Sequence, residues 1–229
     1  MSLIKGVEHA ENGEMRLISQ NIAEKLGINM SVLMGANIAN EVAKGEFCES
    51  TLGYSISENA SLLKNIFHCD SFRISTIRDI PAVELCGALK NIVAVAAGFA
   101  DGLGMGDNSK AAIIRIGLVE IVKFCKLLYP STNSETFFES CGVADLITSC
   151  YGGRNRKVGE AFSKCNGSKS ISQLEKEMLN GQKLQGPDTA HHVFHKLQSL
   201  SLACEFPLFS AVHKICNGEE NICDFVKFL

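Results

Sequence analysis

The sequence predicts an α/β segment followed by an all-helical one. Two observations carry this reading. Residues 2–7 (SLIKGV), 30–34 (MSVLM), 49–54 and 72–77 (FRISTI) are short and strand-like, and helical spacing fills the gaps between them. After Pro81 no convincing strand remains, and seven stretches of helical spacing follow. A boundary is therefore expected near residue 80, giving an α/β part over 1–79 and an all-helical part over 80–229.

The elements follow in order. Over 14–26, Leu17, Ile18, Ile22 and Leu26 repeat on one helical face, and Gly27 supplies the stop. Residues 38–44 read as a short helix, and a second helix is expected near 60–67. The later helices are expected over 83–99, 109–128, 136–149, 157–162, 171–179, 190–200 and 207–216. Between the first two lies GLGMGD. It follows a helix rather than a strand, so it fails the context test for a dinucleotide loop. It reads instead as a helix-ending turn, with Asp107 or Asn108 capping the next helix.

Bulk properties exclude several function classes. The chain has 229 residues, 46 % apolar and 21 % charged, an ordinary globular mix. Net charge is −3 and the pI is about 6.1, so no global basic field recruits nucleic acid or a membrane surface. No uncharged apolar run reaches the ~20 residues of a membrane helix; residues 91–100 come nearest and stop at Asp101. The start, MSLIKGVEHAENGEMR, lacks the apolar core of a signal peptide. Ten cysteines show no CxxC pair and no zinc spacing, so they read as reduced thiols acting as small hydrophobes. His191, His192 and His195 share a helix, with His191 and His195 at i,i+4, but no HExxH or carboxylate pattern supports a metal there.

Four constellations carry chemistry. The first is CGALKNIVAVAAG, apolar almost throughout, with Lys90 beside Asn91. A lysine on such a face is desolvated, and desolvation lowers an ammonium's pKa toward general acid–base work. The bland alternative is a lysine snorkelling from a helix edge. The second is CGVADLITSCYGGRNRKVGEAF. Asp145 and Ser149 share a helix face, and a glycine turn leads to Arg154 and Asn155 at a helix start, a combination that suits an anion. The third is LNGQKLQGPDTA, a polar loop able to close over a ligand, with Asp188 or Thr189 able to cap the next helix. The fourth is MGAN, ending in Asn37 at the carboxyl end of a strand. Lys5 sits at the end of the first strand, and ligands of open α/β sheets bind at such ends.

These segments, SLIKGV, SVLMGANIANEVA, VELCGALKNIVAVAAGFADGLGMGDNSKAAIIRIGL, FFESCGVADLITSCYGGRNRKV and LEKEMLNGQKLQGPDTA, closely resemble eukaryotic cytosolic NAD-dependent glycerol-3-phosphate dehydrogenases over essentially the whole chain. The resemblance implies the C-terminal part of a Rossmann-type parallel sheet, followed by a helical domain like that of 6-phosphogluconate dehydrogenase. It implies interconversion of dihydroxyacetone phosphate and sn-glycerol 3-phosphate by hydride transfer with NAD, in the cytoplasm, by a homodimer with no nucleic-acid or membrane partner. In the family pattern Lys90 is the catalytic acid–base, Asp145 supports its ammonium, Ser149 extends the network, and Lys5 faces the substrate oxygen. Asn37 and Asn91 bind substrate. Arg154 and Asn155 hold its phosphate, with Arg154 also near the cofactor. Ala39, Lys183 and Gln185 contact NAD, and Gln182 lies in the closing loop.

Departures from the pattern set further expectations. Ser149 replaces the family's usual threonine and keeps the hydroxyl. Met1 directly precedes a strand that is normally internal. The first half of the Rossmann domain, with its glycine-rich pyrophosphate loop, is expected to be missing, and the C-terminal tail to be shortened. Weak or absent dehydrogenase activity is the expectation that follows, and the alternative is a non-catalytic short form that pairs with full-length subunits.

Overall fold

Alternation of side chains across one strand organises the first core. The computed structural model describes residues 1–9 and 15–229. Strand β3 (Val32–Met34) is buried on both faces. Val32 and Met34 pack with Val83 and Cys141, while Leu33 packs with Leu52, Ala60 and Ile74. β3 pairs antiparallel with β4 (Cys48–Gly53), and β4 pairs parallel with β5 (Phe72–Ile77). A separate antiparallel pair joins β1 (Val7–His9) to β2 (Met15–Leu17).

The expected strand over 2–7 is corrected. Only Ser2 bridges to Val32, in parallel, and the strand proper begins at Val7. Leu3 and Ile4 are exposed, so the apolar letters that suggested a strand fill no core here. The helix expected over 14–26 also begins later. β2 takes Met15–Leu17, α1 runs Ile18–Leu26, and Glu14 lies outside the described residues. Gly27 ends α1 at φ 64°, as its position suggested. No side chain of the preceding residue caps the start of α1. Buried Glu84 does so from a distance, accepting from the Ser19 backbone N–H at 3.0 Å and from the Ser19 hydroxyl.

α2 (Ala39–Ala43) and α3 (Ser57–Phe67) fall where short helices were expected. α4 (Ile80–Gly102) has 23 residues. It is long and apolar enough to cross a membrane, yet 89 % of its most apolar window is buried inside the protein, which makes it a core helix. Gly104, at φ 71°, then turns the chain into α5 (Asp107–Leu128). Asp107 lies inside the first turn rather than capping it; the Gly106 carbonyl accepts from the N–H groups of Ser109 and Lys110 at 3.0 and 3.2 Å.

The single helix expected over 136–149 is three pieces: a 3-10 turn (Ser134–Phe138), a π turn (Ser140–Ala144) and α6 (Asp145–Gly152). Glu139 is extended (φ −73°, ψ 172°) and breaks the run. α7 (Arg154–Lys164), α8 (Ile171–Met178), α9 (Gln185–Ser199) and α10 (Pro207–Cys216) complete the helices used below.

The chain divides into two compact units, Met1–Gly87 with Ile121–Leu146, and Ala88–Glu120 with Ile147–Leu229. The second unit rests on a backbone contact between α4 and α7. A Cβ added at Gly98 would stand 2.2 Å from the Arg156 carbonyl oxygen, and one at Gly159 would stand 2.6 Å from that of Val95. Only glycines allow so close an approach. Phe99 fills the neighbouring space against Phe162 and Phe225, at centroid distances of 5.8 and 5.6 Å. Buried Glu120 caps α10, accepting from the backbone N–H groups of Leu208 and Phe209 at 2.8 and 2.9 Å. All ten cysteines are free of disulfides.

Candidate functional site

In the first unit the chain folds three acceptors around one cation. Lys5 stands two residues before β1, and its Nζ donates to the Gly35 carbonyl (3.0 Å), Asn37 Oδ1 (3.3 Å) and Asp145 Oδ2 (2.8 Å). An ammonium has three donors, and these partners use all three. Gly35 and Asn37 follow the carboxyl end of β3, and Asp145 opens α6. The Asp145 side chain is 3 % exposed and that of Lys5 25 %, so the carboxylate is shielded from water while the lysine keeps partial access to it. The Asn37 amide is itself fixed, donating to Ser50 Oγ at 2.8 Å. Ser140 braces the same turn, donating to the Glu49 carbonyl at 2.7 Å and accepting from the Ala36 N–H at 3.2 Å.

The second unit buries a cation beside a hydroxyl. Lys90 lies mid-way along α4, is 6 % exposed, and its Nζ donates to Ser149 Oγ at 2.6 Å. Ser149 is one turn beyond Asp145 on α6. The next residue, Cys150, is buried as well. Burial pushes its thiol up to about 12 against the opposing charges of Lys110 and Lys90, so it stays a neutral packing group.

A chain of amides runs from Asn91. Asn155 Nδ2 donates to Asn91 Oδ1 at 3.0 Å, and Asn155 Oδ1 accepts from the Gly186 N–H at 2.8 Å. A Cβ at Gly186 would meet Asn155 Oδ1 and Val95 at 2.6 Å, so glycine permits this docking. Arg154 is exposed at the start of α7 and donates to Gln182 Oε1 at 2.6 Å. The 179–190 loop thus touches α7 at two points.

Two sequence-derived details change here. α9 starts at Gln185, earlier than expected, and neither Asp188 nor Thr189 caps it. The Gly186 N–H is already taken by Asn155, and Pro187 has no N–H to satisfy, so the first turn needs no side-chain cap. Of the residues singled out from sequence, Lys5, Asn37 and Asp145 meet in the first unit. Lys90 meets Ser149, Asn91 meets Asn155, and Arg154 meets Gln182, all in the second. Ala39 is exposed at the start of α2, Lys183 is exposed in the loop, and Gln185 is half-buried at the start of α9. Sequence reading missed Ser50, Ser140 and Gly35, which have no local signal: two are ordinary serines, and Gly35 acts through a carbonyl.

The model of the N-terminal region of NAD-dependent glycerol-3-phosphate dehydrogenase matches residues 1–60, and that of its C-terminal region matches residues 79–227. The chain belongs to this family. Cytoplasmic glycerol-3-phosphate dehydrogenase [NAD(+)] from Mus musculus is 57 % identical over the whole chain, and the Homo sapiens protein of that name is 56 % identical. The chain spans 65 % of the length of each. Among solved structures, the glycerol-3-phosphate dehydrogenase of Dunaliella salina superposes with a TM-score of 0.95 at 48 % identity, over 99 % of this chain and 39 % of that one. That of Plasmodium falciparum gives 0.95 at 40 % identity, over 100 % of this chain and 64 % of that one. These dehydrogenases share the architecture of a sheet-containing N-terminal part and a helical C-terminal part.

Proposed function

We propose that this chain carries the catalytic and phosphate-binding groups of an NAD-dependent glycerol-3-phosphate dehydrogenase. The reaction interconverts sn-glycerol 3-phosphate and dihydroxyacetone phosphate. The observation that carries the reading is Lys90, an ammonium 6 % exposed in an apolar helix and held on a serine hydroxyl. A buried cation of this kind costs several kcal/mol of desolvation unless function or pairing retains it.

In this reading Lys90 gives its proton to the carbonyl oxygen during reduction and takes it back in the reverse direction. Ser149 orients the Nζ of Lys90. Asp145 fixes Lys5, whose role in this reading is to face the substrate oxygen. Asn37 and Asn91 help bind the substrate, and Arg154 with Asn155 holds its phosphate. That remote dianion supplies binding energy for orientation and loop closure, with Gln182 in the closing loop. The exposed Arg154 and Lys183 cations, with the Gln185 amide, are a donor set that suits an anionic dinucleotide, and Ala39, the remaining cofactor residue, starts α2 in the first unit. NAD, when bound, supplies the hydride acceptor. The boundary between the α/β part and the helical part is assigned in this reading near residue 80, supported by the C-terminal family match that begins at 79. The working form is a homodimer, which light scattering of the purified chain tests, in the cytoplasm, a compartment that the names of the curated relatives support.

The test is NADH oxidation by the purified chain with dihydroxyacetone phosphate, beside Lys90→Ala. Turnover that falls at least a hundredfold in the variant, with the fold retained by circular dichroism, is the expected result. Equal turnover in both, or neither turnover nor binding of glycerol 3-phosphate by calorimetry, sinks the reading.

A further inference from the structure

Three histidines of the second unit converge from two helices. His191 and His195 stand one turn apart on α9, with ring centroids 4.3 Å apart. His213 of α10 lies 5.4 Å from the first ring and 5.7 Å from the second. One ring nitrogen from each lies within 4.8 Å of the other two. His191 and His195 are exposed and His213 is buried, so the group is anchored on one side and open to water on the other.

The anchored ring is held in a fixed plane. His213 stacks on Phe194 at 4.2 Å and 19°, and the Asn217 amide nitrogen lies 3.2 Å from its Nε2. Burial pushes the His213 pKa down to about 4; Glu219 opposes this, and His191 and His195 reinforce it. A carboxylate stands at the rim, with Glu219 Oε1 3.8 Å from His213 Nε2. His192, on the same helix, faces Asp188 at 3.4 Å and lies outside the group.

We propose that His191, His195 and His213 form a binding site for one divalent transition-metal ion of the zinc type, with Glu219 or water completing the shell. Three imidazoles with an oxygen fourth ligand are a borderline-soft donor set that suits zinc. Metal–nitrogen bonds of about 2.0–2.1 Å place ligand nitrogens roughly 3.3 Å apart in a tetrahedron. The observed separations need only modest closure, and the two exposed side chains supply it by rotamer adjustment. The i,i+4 histidine pair has the helical spacing that zinc-binding helices use. The ion ties α9 to α10, and so steadies the turn that carries Gly186 on Asn155. This site is independent of the dehydrogenase reading.

The test uses the purified chain without a histidine tag, stripped with chelator and kept reduced, then titrated with zinc chloride by calorimetry and thermal denaturation. Cobalt(II) serves as the spectroscopic probe. One ion per chain is expected, with a melting temperature that rises with zinc concentration. The double variant His191→Ala/His195→Ala should lose at least tenfold in affinity, together with the thermal shift, while His192→Ala keeps both. Both replaced residues are exposed, so the double variant should fold, and circular dichroism checks it. Undiminished binding in the double variant, no binding by the parent chain, or a cobalt spectrum dominated by thiolate charge transfer overturns the proposal.

Discussion

At the scale of single residues, the polar groups of the second unit depend on one another more than on water. Asn155 is buried and uses both ends of its amide, one on Asn91 and one on the Gly186 N–H. Removing it leaves an acceptor and a backbone donor without that partner, and each such loss costs about 1–3 kcal/mol. Asn155→Ala should therefore lower the urea midpoint measurably even with no substrate present. Adding Asn91→Ala should then cost much less than it does alone, because the shared bond is already gone. Strict additivity in that double-mutant cycle would mean that the two amides are not coupled. Much of this was legible in the chain itself. A lysine and an asparagine inside CGALKNIVAVAAG demand partners, and Arg154-Asn155 at a helix start points to an anion. The partner on Gly186 was not legible, because it is a backbone N–H donated across 31 positions.

At the scale of elements, periodicity predicted best where one face alone is buried. Residues 72–77 and 207–216 have the bounds their patterns indicated, as β5 and α10. It failed over 136–149, where apolar and small residues continue without a break but the backbone leaves the helix at Glu139. Cysteine, glycine and serine fit a π turn and a helix alike, so composition could not separate them. The helix caps were invisible for another reason. Glu84 and Glu120 cap helices 65 and 88 positions away in sequence, and local capping rules look only three residues ahead. The closest helix contact gives a sharp prediction. Alanine gains about 1 kcal/mol over glycine in a helix. At Gly98 that gain meets a Cβ placed 2.2 Å from a main-chain oxygen, and overpacking typically costs about 1–3 kcal/mol, or more where backbone must move. The clash should win, so Gly98→Ala should lower the melting temperature by several degrees and weaken the Lys90–Asn91 side of α4 against α7. A variant as stable as the parent would show that the two backbones separate freely.

At the scale of the whole molecule, buried carboxyl groups set how stability varies with pH. Burial raises the pKa of Glu84, partly offset by the hydrogen bonds from Ser19 and Ile18. A carboxyl whose folded pKa lies above its unfolded value binds its proton more tightly in the native state. Its contribution is complete below the ordinary glutamate range and is lost as pH rises through the folded pKa. Asp101 behaves oppositely. Burial works to raise its pKa, but Lys110 and Arg156, at 2.8 and 2.7 Å, together lower it. Its contribution is present above the ordinary aspartate range and is lost as pH falls through the folded value. The two groups therefore act at opposite ends of the acidic range. Glu84→Gln keeps an oxygen acceptor for Ser19 and removes the charge. Its stability relative to the parent should improve as pH rises from about 4 toward neutrality, when followed by urea denaturation at fixed ionic strength. Asp101→Asn should lose stability relative to the parent at neutral pH, and the difference should shrink as pH falls below about 4. Opposite slopes for the two variants are what these environments require. A Glu84→Gln difference that is flat across the range would mean that the carboxyl is equally at home folded and unfolded, and that its burial against the start of α1 carries no electrostatic cost.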